Sequence, residues 1–297
     1  MARLTATKAT RLLFLTDTHL GGVPEGFWQQ PRRPDLLEPL VERLRQWMRK
    51  HPVDAVLHGG DMTDHGSDEE IALAVALFGR LPAPVYLALG NHDLIGRGSF
   101  ARWQATADAW FAGNGEAFGV GFPHAGVFVL NHDWHDRRVP FHWDPTLSQR
   151  PVVLDRQRQR LEAFARHTPL PVLLVTHAPL HAIPTAQTGL EEAIHRPSRA
   201  FVADMMSLAQ RHPNVVLALS GHNHVNTFTR DDALASMSTA SFIEPSFDVR
   251  LITIDTATLS VETISLADEI STPYQFDADR AWTIGSIRDR QCTIRLK

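Results

Sequence analysis

Five short polar clusters in the sequence each follow a run of apolar residues. All of them carry side chains that bind metal ions or transfer protons, namely carboxylates, imidazoles or an amide. Because polar groups at the end of a buried strand are costly without a partner, these side chains are predicted to share a ligand. In chain order the clusters are Asp17-Thr18-His19, Gly60-Asp61, Gly90-Asn91-His92-Asp93, His177 and Gly221-His222-Asn223-His224.

Asp93 is expected to tie down its turn, a structural role. Without it and Asn223, the combined set supplies two carboxylates, one amide and four imidazoles, with His92 left over. Seven such ligands are too many for one reactive metal ion, but two ions can share them if one carboxylate bridges. Asp61 is the natural bridge because it follows the central strand of the series. Two ions roughly 3.5 to 4 Å apart hold a water, lower its pKa towards neutral and attract an anionic ester. The predicted metal ligands are Asp17, His19, Asp61, Asn91, His177, His222 and His224.

Alternating apolar runs and amphipathic segments must position these clusters. Residues 12–16, 53–58 and 84–89 are predicted strands, and residues 36–50 and 67–80 are predicted helices between them. This alternation is typical of parallel strands joined by helices. In open sheets of this kind ligands bind at the carboxyl ends of the strands, so the polar clusters are predicted to converge.

The second half of the chain repeats the pattern, with predicted strands at 171–176 and 215–220 and predicted helices at 154–167 and 198–212. After Gly221 apolar and polar residues alternate, which predicts an antiparallel closing sheet. The sequence therefore predicts an α/β fold in which each half supplies one of two stacked sheets, with helices outside.

Composition limits the class of protein. A chain of 297 residues with 43% apolar residues fits one main domain, predicted at 1–267, followed by an extension of unassigned role at 268–297. The net charge of -4 argues against nucleic acid and membrane partners, and no apolar stretch reaches the roughly 20 residues that span a bilayer. With Cys292 as its only cysteine and no signal peptide, the protein is expected to be soluble and cytoplasmic, and a homo-oligomer is compatible.

The series D-x-H, GD, GNHD, H and GHxH resembles that of the calcineurin-like metallophosphoesterases, from Asp17 to His224. The resemblance implies a four-layer αββα sandwich of two mixed sheets, with a dinuclear centre at the strand carboxyl ends. It implies that His92 contacts substrate and the leaving group, that Asp64 orients His92, and that Asn91 contacts a phosphoryl oxygen. Mixed imidazole and carboxylate ligation suits two divalent or mixed-valence ions of Mn, Fe, Zn or Co. One metal would take Asp17, His19, Asp61 and His224, and the other Asp61, Asn91, His177 and His222.

One position bears on the substrate. Residues 61–66 read DMTDHG, with His65 where the protein phosphatase branch of this family has an arginine that clamps a phosphate dianion. The pattern looks more like the bacterial phosphodiesterases, which include the class III cyclic nucleotide phosphodiesterases and glycerophosphodiesterases. It predicts a small phosphodiester substrate, contacted by Asn91, His92 and His65 and hydrolysed by a hydroxide that bridges the metals.

Three alternatives stay open. A nuclease like those of DNA repair would need a basic track, and the local candidate is Arg156, Arg158 and Arg160 on a predicted helix. A phosphomonoesterase would act on a monoester dianion rather than on a diester monoanion. A non-catalytic scaffold would have lost ligands, whereas all the predicted ligand positions and His92 are filled here.

The remaining aromatic and histidine residues receive simpler predictions. Five tryptophans outside the strands are expected to pack the loops rather than to line a substrate pocket: Trp28, Trp103, Trp110, Trp134 and Trp143. Among the histidines, we expect a buried strand residue at His58, a neighbour of the ligands at His181, and surface residues at His132, His135 and His142.

Overall fold

Two six-stranded sheets form the centre of the protein. The structure is a computed structural model and describes residues 9–24, 29–113, 115–134, 141–146 and 150–296. Within these residues the strands are β1 Thr10–Leu15, β2 Ala55–His58, β3 Val85–Leu87, β4 Ala117–Gly121, β5 Gly126–Leu130, β6 Val172–Thr176, β7 Val215–Ser220, β8 Thr227–Arg230, β9 Ala235–Ser238, β10 Asp248–Ile254, β11 Thr258–Ser265 and β12 Gln291–Arg295. The helices are α1 Leu37–Lys50, α2 Asp68–Phe78, α3 Ser99–Ala107, α4 Asp155–His167, α5 Thr185–Thr188, α6 Arg199–Arg211 and α7 Ile287–Arg290.

Both sheets mix parallel and antiparallel pairs. The first sheet has the order β12-β11-β10-β1-β2-β3, with β1, β2 and β3 parallel. The second has the order β4-β5-β6-β7-β9-β8, with β5, β6, β7 and β9 parallel. The predicted α/β sandwich of two mixed sheets is confirmed.

The alternating segments after Gly221 do not form one closing sheet, as the sequence had suggested. Strands β10 and β11 add to the first sheet, where β10 lies antiparallel to β1, while β8 and β9 complete the second sheet. The first sheet is therefore built from both ends of the chain. Alternation specifies which side of a strand is buried but carries no information about the strand beside it, so the partner could not be read from this pattern.

Amphipathic helices cover the outer faces of the sheets. Helix α1 buries one apolar stripe, and α2 begins with the predicted capping box, in which Ser67 Oγ accepts from the Glu70 N–H at 3.2 Å. Trp103 and Trp110, for which loop packing was predicted, belong to the core, with ring centroids 6.4 Å apart. None of the described helices is both long and apolar enough to cross a bilayer.

The last part of the chain returns to the first sheet. A 3₁₀ segment at Ala278–Ile284 and helix α7 lead into β12, which pairs with β11 at the sheet edge. The division of the chain at residue 267 stays a prediction. Residues beyond it supply an edge strand, β12, to the first sheet.

Asp93 joins the loops that follow β2 and β3. Its buried carboxylate accepts hydrogen bonds from the backbone N–H groups of Met62 (3.2 Å), Thr63 (2.8 Å) and Gly90 (3.0 Å). The Thr63 hydroxyl donates to the same carboxylate at 2.8 Å. This is the structural role expected from the sequence, since a single carboxylate pairs donors of two loops that carry predicted ligands.

We predict that Asp93→Ala lowers the free energy of unfolding by about 2 to 5 kcal/mol, because it leaves several buried N–H groups without an acceptor. Urea unfolding in the presence of a chelator measures this without a contribution from metal. Asp93→Asn, which keeps one acceptor oxygen, should lose less. An alanine variant within about 0.5 kcal/mol of wild type would contradict this role.

Candidate metal centre

The loops that carry the predicted ligands continue the parallel pairing of β1 and β2 beyond the strands. The Asp17 N–H donates to Gly60 O and the His19 N–H to Asp61 O, each at 2.9 Å. The backbone here also leaves the usual conformations, which is costly for residues with a side chain and is found at functional sites. Five of the seven predicted ligands have positive φ, namely Asp17, His19, Asp61, His222 and His224.

A glycine before a predicted ligand allows close approach of neighbouring loops. Gly60 has a φ of +101°, and a Cβ there would lie 2.6 Å from His177 Nδ1 and 2.7 Å from Gly90 N. A Cβ at Gly90 would collide with Asp61. Only glycine fits where the second, third and fourth polar clusters meet.

Asp17, His19 and His224 form the first cluster, with all their ligand atoms within 4.8 Å of one another. His224 Nε2 lies 3.2 Å from both Asp17 Oδ1 and His19 Nε2. The Asp17 carboxylate is held in place by the Thr16 hydroxyl at 2.7 Å and by the backbone N–H of His222. One carboxylate and two imidazoles thus converge on one position.

Asp61, His177 and His222 form the second cluster. Asp61 Oδ2 lies 3.1 Å from His177 Nε2, and His222 Nδ1 lies 3.2 Å from His177 Nε2. The same Oδ2 is 3.8 Å from His19 Nε2 of the first cluster, while Asp61 Oδ1 accepts from the His92 N–H at 2.8 Å. Asp61 therefore contacts both clusters, in the position expected of a bridging carboxylate.

Asn91 completes the predicted ligand set. Its side chain is buried, and Oδ1 has no hydrogen-bond partner among the described residues. A buried amide oxygen without a donor is costly, and a metal ion would satisfy it. Together with the carboxylate and imidazole donors of the two clusters, this oxygen fits the dinuclear centre that the sequence predicts.

In three of the ligand imidazoles, Nδ1 is held by a hydrogen bond to an oxygen acceptor. His19 Nδ1 lies 2.8 Å from Asp64 Oδ1, His177 Nδ1 lies 2.9 Å from the Gly59 carbonyl oxygen, and His224 Nδ1 lies 2.5 Å from Glu244 Oε1. These contacts place hydrogen on Nδ1, so that Nε2 would be the nitrogen that binds a metal. Glu244 was not identified from the sequence, because it does not follow a predicted strand. Only the folded chain places it beside His224.

Asp64 acts on two imidazoles in different ways. His19, Asp64 and His92 form a third group of close atoms, but Asp64 Oδ1 is 2.8 Å from His19 Nδ1 and 3.4 Å from His92 Nδ1. His92 Nδ1 donates instead to the Asp64 carbonyl oxygen at 2.9 Å. Asp64 thus orients His92 through its backbone, while its carboxylate holds His19. The ring nitrogens in this group carry hydrogens, so it makes a poor metal site.

The carboxylate of Asp61 keeps its negative charge. Burial raises the pKa of Asp61, but the positive charge of His177 and His92 outweighs this and holds it well below its usual value. Burial lowers the pKa of His177 and His224, yet Asp61 raises that of His177 to about 9, and Glu244 and Asp17 raise that of His224 to about 10. These two imidazoles are therefore protonated near neutral pH and compensate the carboxylates, and a bound metal ion would replace their protons.

Arg32 is a charged neighbour that the sequence did not reveal. Its guanidinium Nη1 lies 3.2 Å from Asp64 Oδ1, and Nη2 lies 3.3 Å from His19 Nδ1. It is 3% exposed and belongs to the segment between β1 and α1. Together with burial, its charge lowers the pKa of His19 to about 3, which keeps that imidazole neutral as a ligand must be.

Two tryptophans lie against the site, although loop packing had been expected for both. Trp134 packs on His222 with ring centroids 5.6 Å apart, and Trp143 packs on His92 at 5.3 Å. His65, the predicted substrate contact, has a side chain that is 59% exposed, and its Nδ1 lies 2.8 Å from Glu70 Oε1. Trp28 and His135 fall outside the described residues.

The other histidines divide between confirmed and wrong predictions. His58 is a buried strand residue, as expected. His132 is not on the surface, because it is fully buried against Phe201 with a hydrogen bond to Thr176, and His142 is half-buried. His181 contacts Ser236 Oγ at 3.1 Å rather than a predicted ligand.

Two of the three arginines that would serve a nuclease are paired with acids. Arg156 bonds Glu116 at 2.5 Å and Arg158 bonds Asp204 at 2.9 Å, both across the surface of the second sheet and its helices. Paired side chains of this kind are a solvated face rather than a phosphate-binding track.

Comparisons with known structures find the same fold. A dimetal phosphatase from Danio rerio superposes with a TM-score of 0.69 at 17% identity, over 86% of this chain and 96% of that one. A purple acid phosphatase from yellow lupin gives 0.61 at 13% identity, over 97% of this chain and 54% of that one. A putative 5'-nucleotidase from Staphylococcus aureus gives 0.55 at 14% identity, over 93% and 57%. A search of curated sequences found no significant relative.

The sequence itself identifies the family. The model of the calcineurin-like phosphoesterases matches residues 10–226, which run from β1 to just beyond the GHxH motif and include both clusters. Members of this family use a dinuclear metal centre, and the clusters of Asp and His side chains described above could hold one. The chain belongs to the calcineurin-like phosphoesterase family.

Proposed function

We propose that the protein hydrolyses small phosphodiesters at two metal ions held by the two clusters, with Asp61 as the shared ligand. The observation that carries this is the contact of one carboxylate with both clusters, beside an imidazole, His92, that belongs to neither. When bound, two ions lower the pKa of water and polarise phosphoryl oxygens. The ligands would be Asp17, His19, Asp61 and His224 for one ion, and Asp61, Asn91, His177 and His222 for the other.

His92 is the proposed general acid. The hydrogen bond from Nδ1 to Asp64 O leaves Nε2 as the atom that can hold and deliver a proton, and Trp143 packs on the ring. Burial lowers the pKa of His92, but the charge of Asp61 and the hydrogen bonds to Asp64 raise it above its usual value. His92 therefore tends to carry the proton that a departing alkoxide requires.

The charges around the clusters favour a monoanionic substrate. Asp64 and Glu244 add negative charge behind His19 and His224, and the guanidinium of Arg32 is buried against Asp64. His65 is exposed where the protein phosphatases carry their clamping arginine. A diester has one negative charge on its phosphate and requires less compensation than a monoester dianion. With His65 in place of that arginine, the chain is more similar to the bacterial phosphodiesterase branch than to the protein phosphatases.

We predict that kcat/KM for bis(4-nitrophenyl) phosphate exceeds that for 4-nitrophenyl phosphate with the same metal, because of this charge balance. Steady-state assays after reconstitution with Mn, Fe, Zn or Co measure the ratio. Cyclic nucleotides, glycerophosphodiesters and single-stranded DNA should then be compared. A higher value for the monoester would make the protein a phosphomonoesterase, and preferred cleavage of DNA would make it a nuclease.

We predict that Asp61→Asn weakens the binding of both ions, because it removes the shared charge that offsets repulsion between two dications. Elemental analysis after dialysis measures metal content. Asp68→Asn, on the exposed first turn of α2, is the control and should retain both ions. Two ions per chain and wild-type rates in Asp61→Asn would refute the bridging role.

We predict that His92→Ala retains both ions and loses about 10² to 10⁴ in kcat on an alkyl or ribose diester, with a much smaller loss on an aryl diester. A nitrophenolate leaves without a proton, whereas an alkoxide does not. The measurement is the ratio of mutant to wild-type kcat across leaving groups of rising pKa. The control is His167→Ala, at the exposed C-terminal residue of α4. A ratio for His92→Ala that does not change with the leaving group would exclude the acid role.

A further inference from the structure

The segment of residues 29–33 runs along the outer side of the first cluster. It contacts both carboxylates that orient ligands of that cluster, Asp64 through Arg32 and Glu244 through the backbone of Gln30. The Arg33 N–H also donates to the Ile243 carbonyl oxygen at 2.8 Å, beside Glu244. One loop therefore reaches the supports of His19 and of His224.

The contact on the His19 side is a chain of three groups. Arg32 Nη1 lies 3.2 Å from Asp64 Oδ1, and that oxygen lies 2.8 Å from His19 Nδ1. All three side chains are largely buried, so the ion pair is shielded from solvent and its geometry is well defined. The planar guanidinium spans Asp64 and the edge of the His19 ring with two different nitrogens.

The contact on the His224 side uses the backbone. The Gln30 N–H donates to Glu244 Oε2 at 3.2 Å, while Glu244 Oε1 lies 2.5 Å from His224 Nδ1. Each oxygen of Glu244 thus has one partner, a loop N–H on one side and a ligand imidazole on the other. A shift of the loop would move Glu244 and His224 together.

The loop is itself fixed by residues near the end of the chain. The buried amide of Gln30 donates to the carbonyl oxygens of Asp277 and Arg280 at 3.0 Å and accepts from the Asp277 N–H at 2.9 Å. Arg280 also donates to the Gln29 carbonyl oxygen at 3.1 Å. Asp277 and Arg280 lie outside the part of the chain that matches the family, residues 10–226.

We propose that residues 29–33 set the affinity of the metal ion held by the first cluster, and that Arg32 is a positioning residue that acts through Asp64 on His19. The proposal rests on the proposed function, since it requires a two-metal centre. Residues 277–283 contribute by fixing Gln30. Partners that orient a ligating imidazole typically change metal affinity about 10- to 100-fold when they are removed.

Arg32→Lys separates geometry from charge. A lysine keeps the positive charge near Asp64, but its single nitrogen cannot contact Asp64 and His19 as the planar fork does. If Arg32 acted only through its charge, the lysine variant would bind metal as wild type does. If it acts by position, the lysine variant loses affinity at the first cluster only.

The experiment is a calorimetric titration of the chelated full-length chain with Mn²⁺, together with elemental analysis after dialysis. We expect two equivalents in wild type, and in Arg32→Lys one equivalent weakened about 10- to 100-fold with the other unchanged. Arg80→Lys is the matched control, because that side chain lies outside residues 29–33, pairs with exposed Glu38 and should leave both affinities unchanged. Unfolding of the chelated proteins shows whether either variant merely loses stability.

Gln30→Met provides a second variant that touches no predicted ligand and should weaken the same equivalent. It decides the question if Arg32→Lys does not fold. Unchanged affinities in Arg32→Lys, or equal weakening of both equivalents, would overturn this proposal while leaving the two-metal function intact. Wild-type protein that binds fewer than two equivalents would overturn both.

Discussion

The site depends on keeping carboxylates ionised inside a protein. Asp17 and Asp61 are buried at the ends of β1 and β2, where an unpaired negative charge would be prohibitively costly. The cost is offset by charged imidazoles, because His177 lies 3.1 Å from Asp61 and His224 lies 3.2 Å from Asp17. These two pairs join the loops that follow the strands of the first sheet to those that follow the strands of the second.

Supports behind the ligands extend this charge compensation outward. Asp64 and Glu244 fix the outer nitrogens of two ligating imidazoles, and each of these carboxylates is in turn paired with the loop that contains Arg32. Orientation of a ligand therefore depends on residues two steps away from any metal. The aromatic rings of Trp134 and Trp143 complete the surroundings by packing on His222 and His92.

The sequence predicted the fold class, the strand ends and the convergence of six of the seven candidate ligands into two clusters. These follow from local patterns, since a strand and the polar residues after it are contiguous and parallel strands end at one edge. It did not predict Glu244, Arg32 or the burial of His132. Each of these features depends on contacts between segments that are far apart in the chain. Such contacts leave no periodic pattern in the sequence. The pairing of β10 with β1 was missed for the same reason, because alternation does not specify a neighbour.

The position of β10 beside β1 has a consequence for synthesis of the protein on the ribosome. A nascent chain that has emerged to residue 230 contains every predicted ligand, yet it lacks Glu244, the strand that flanks β1, and the residues that fix Gln30. Until those residues appear, β1 has an unpaired edge and the imidazole of His224 has no fixed orientation. The centre can therefore reach its final geometry only after residues 277–283 have emerged from the ribosome.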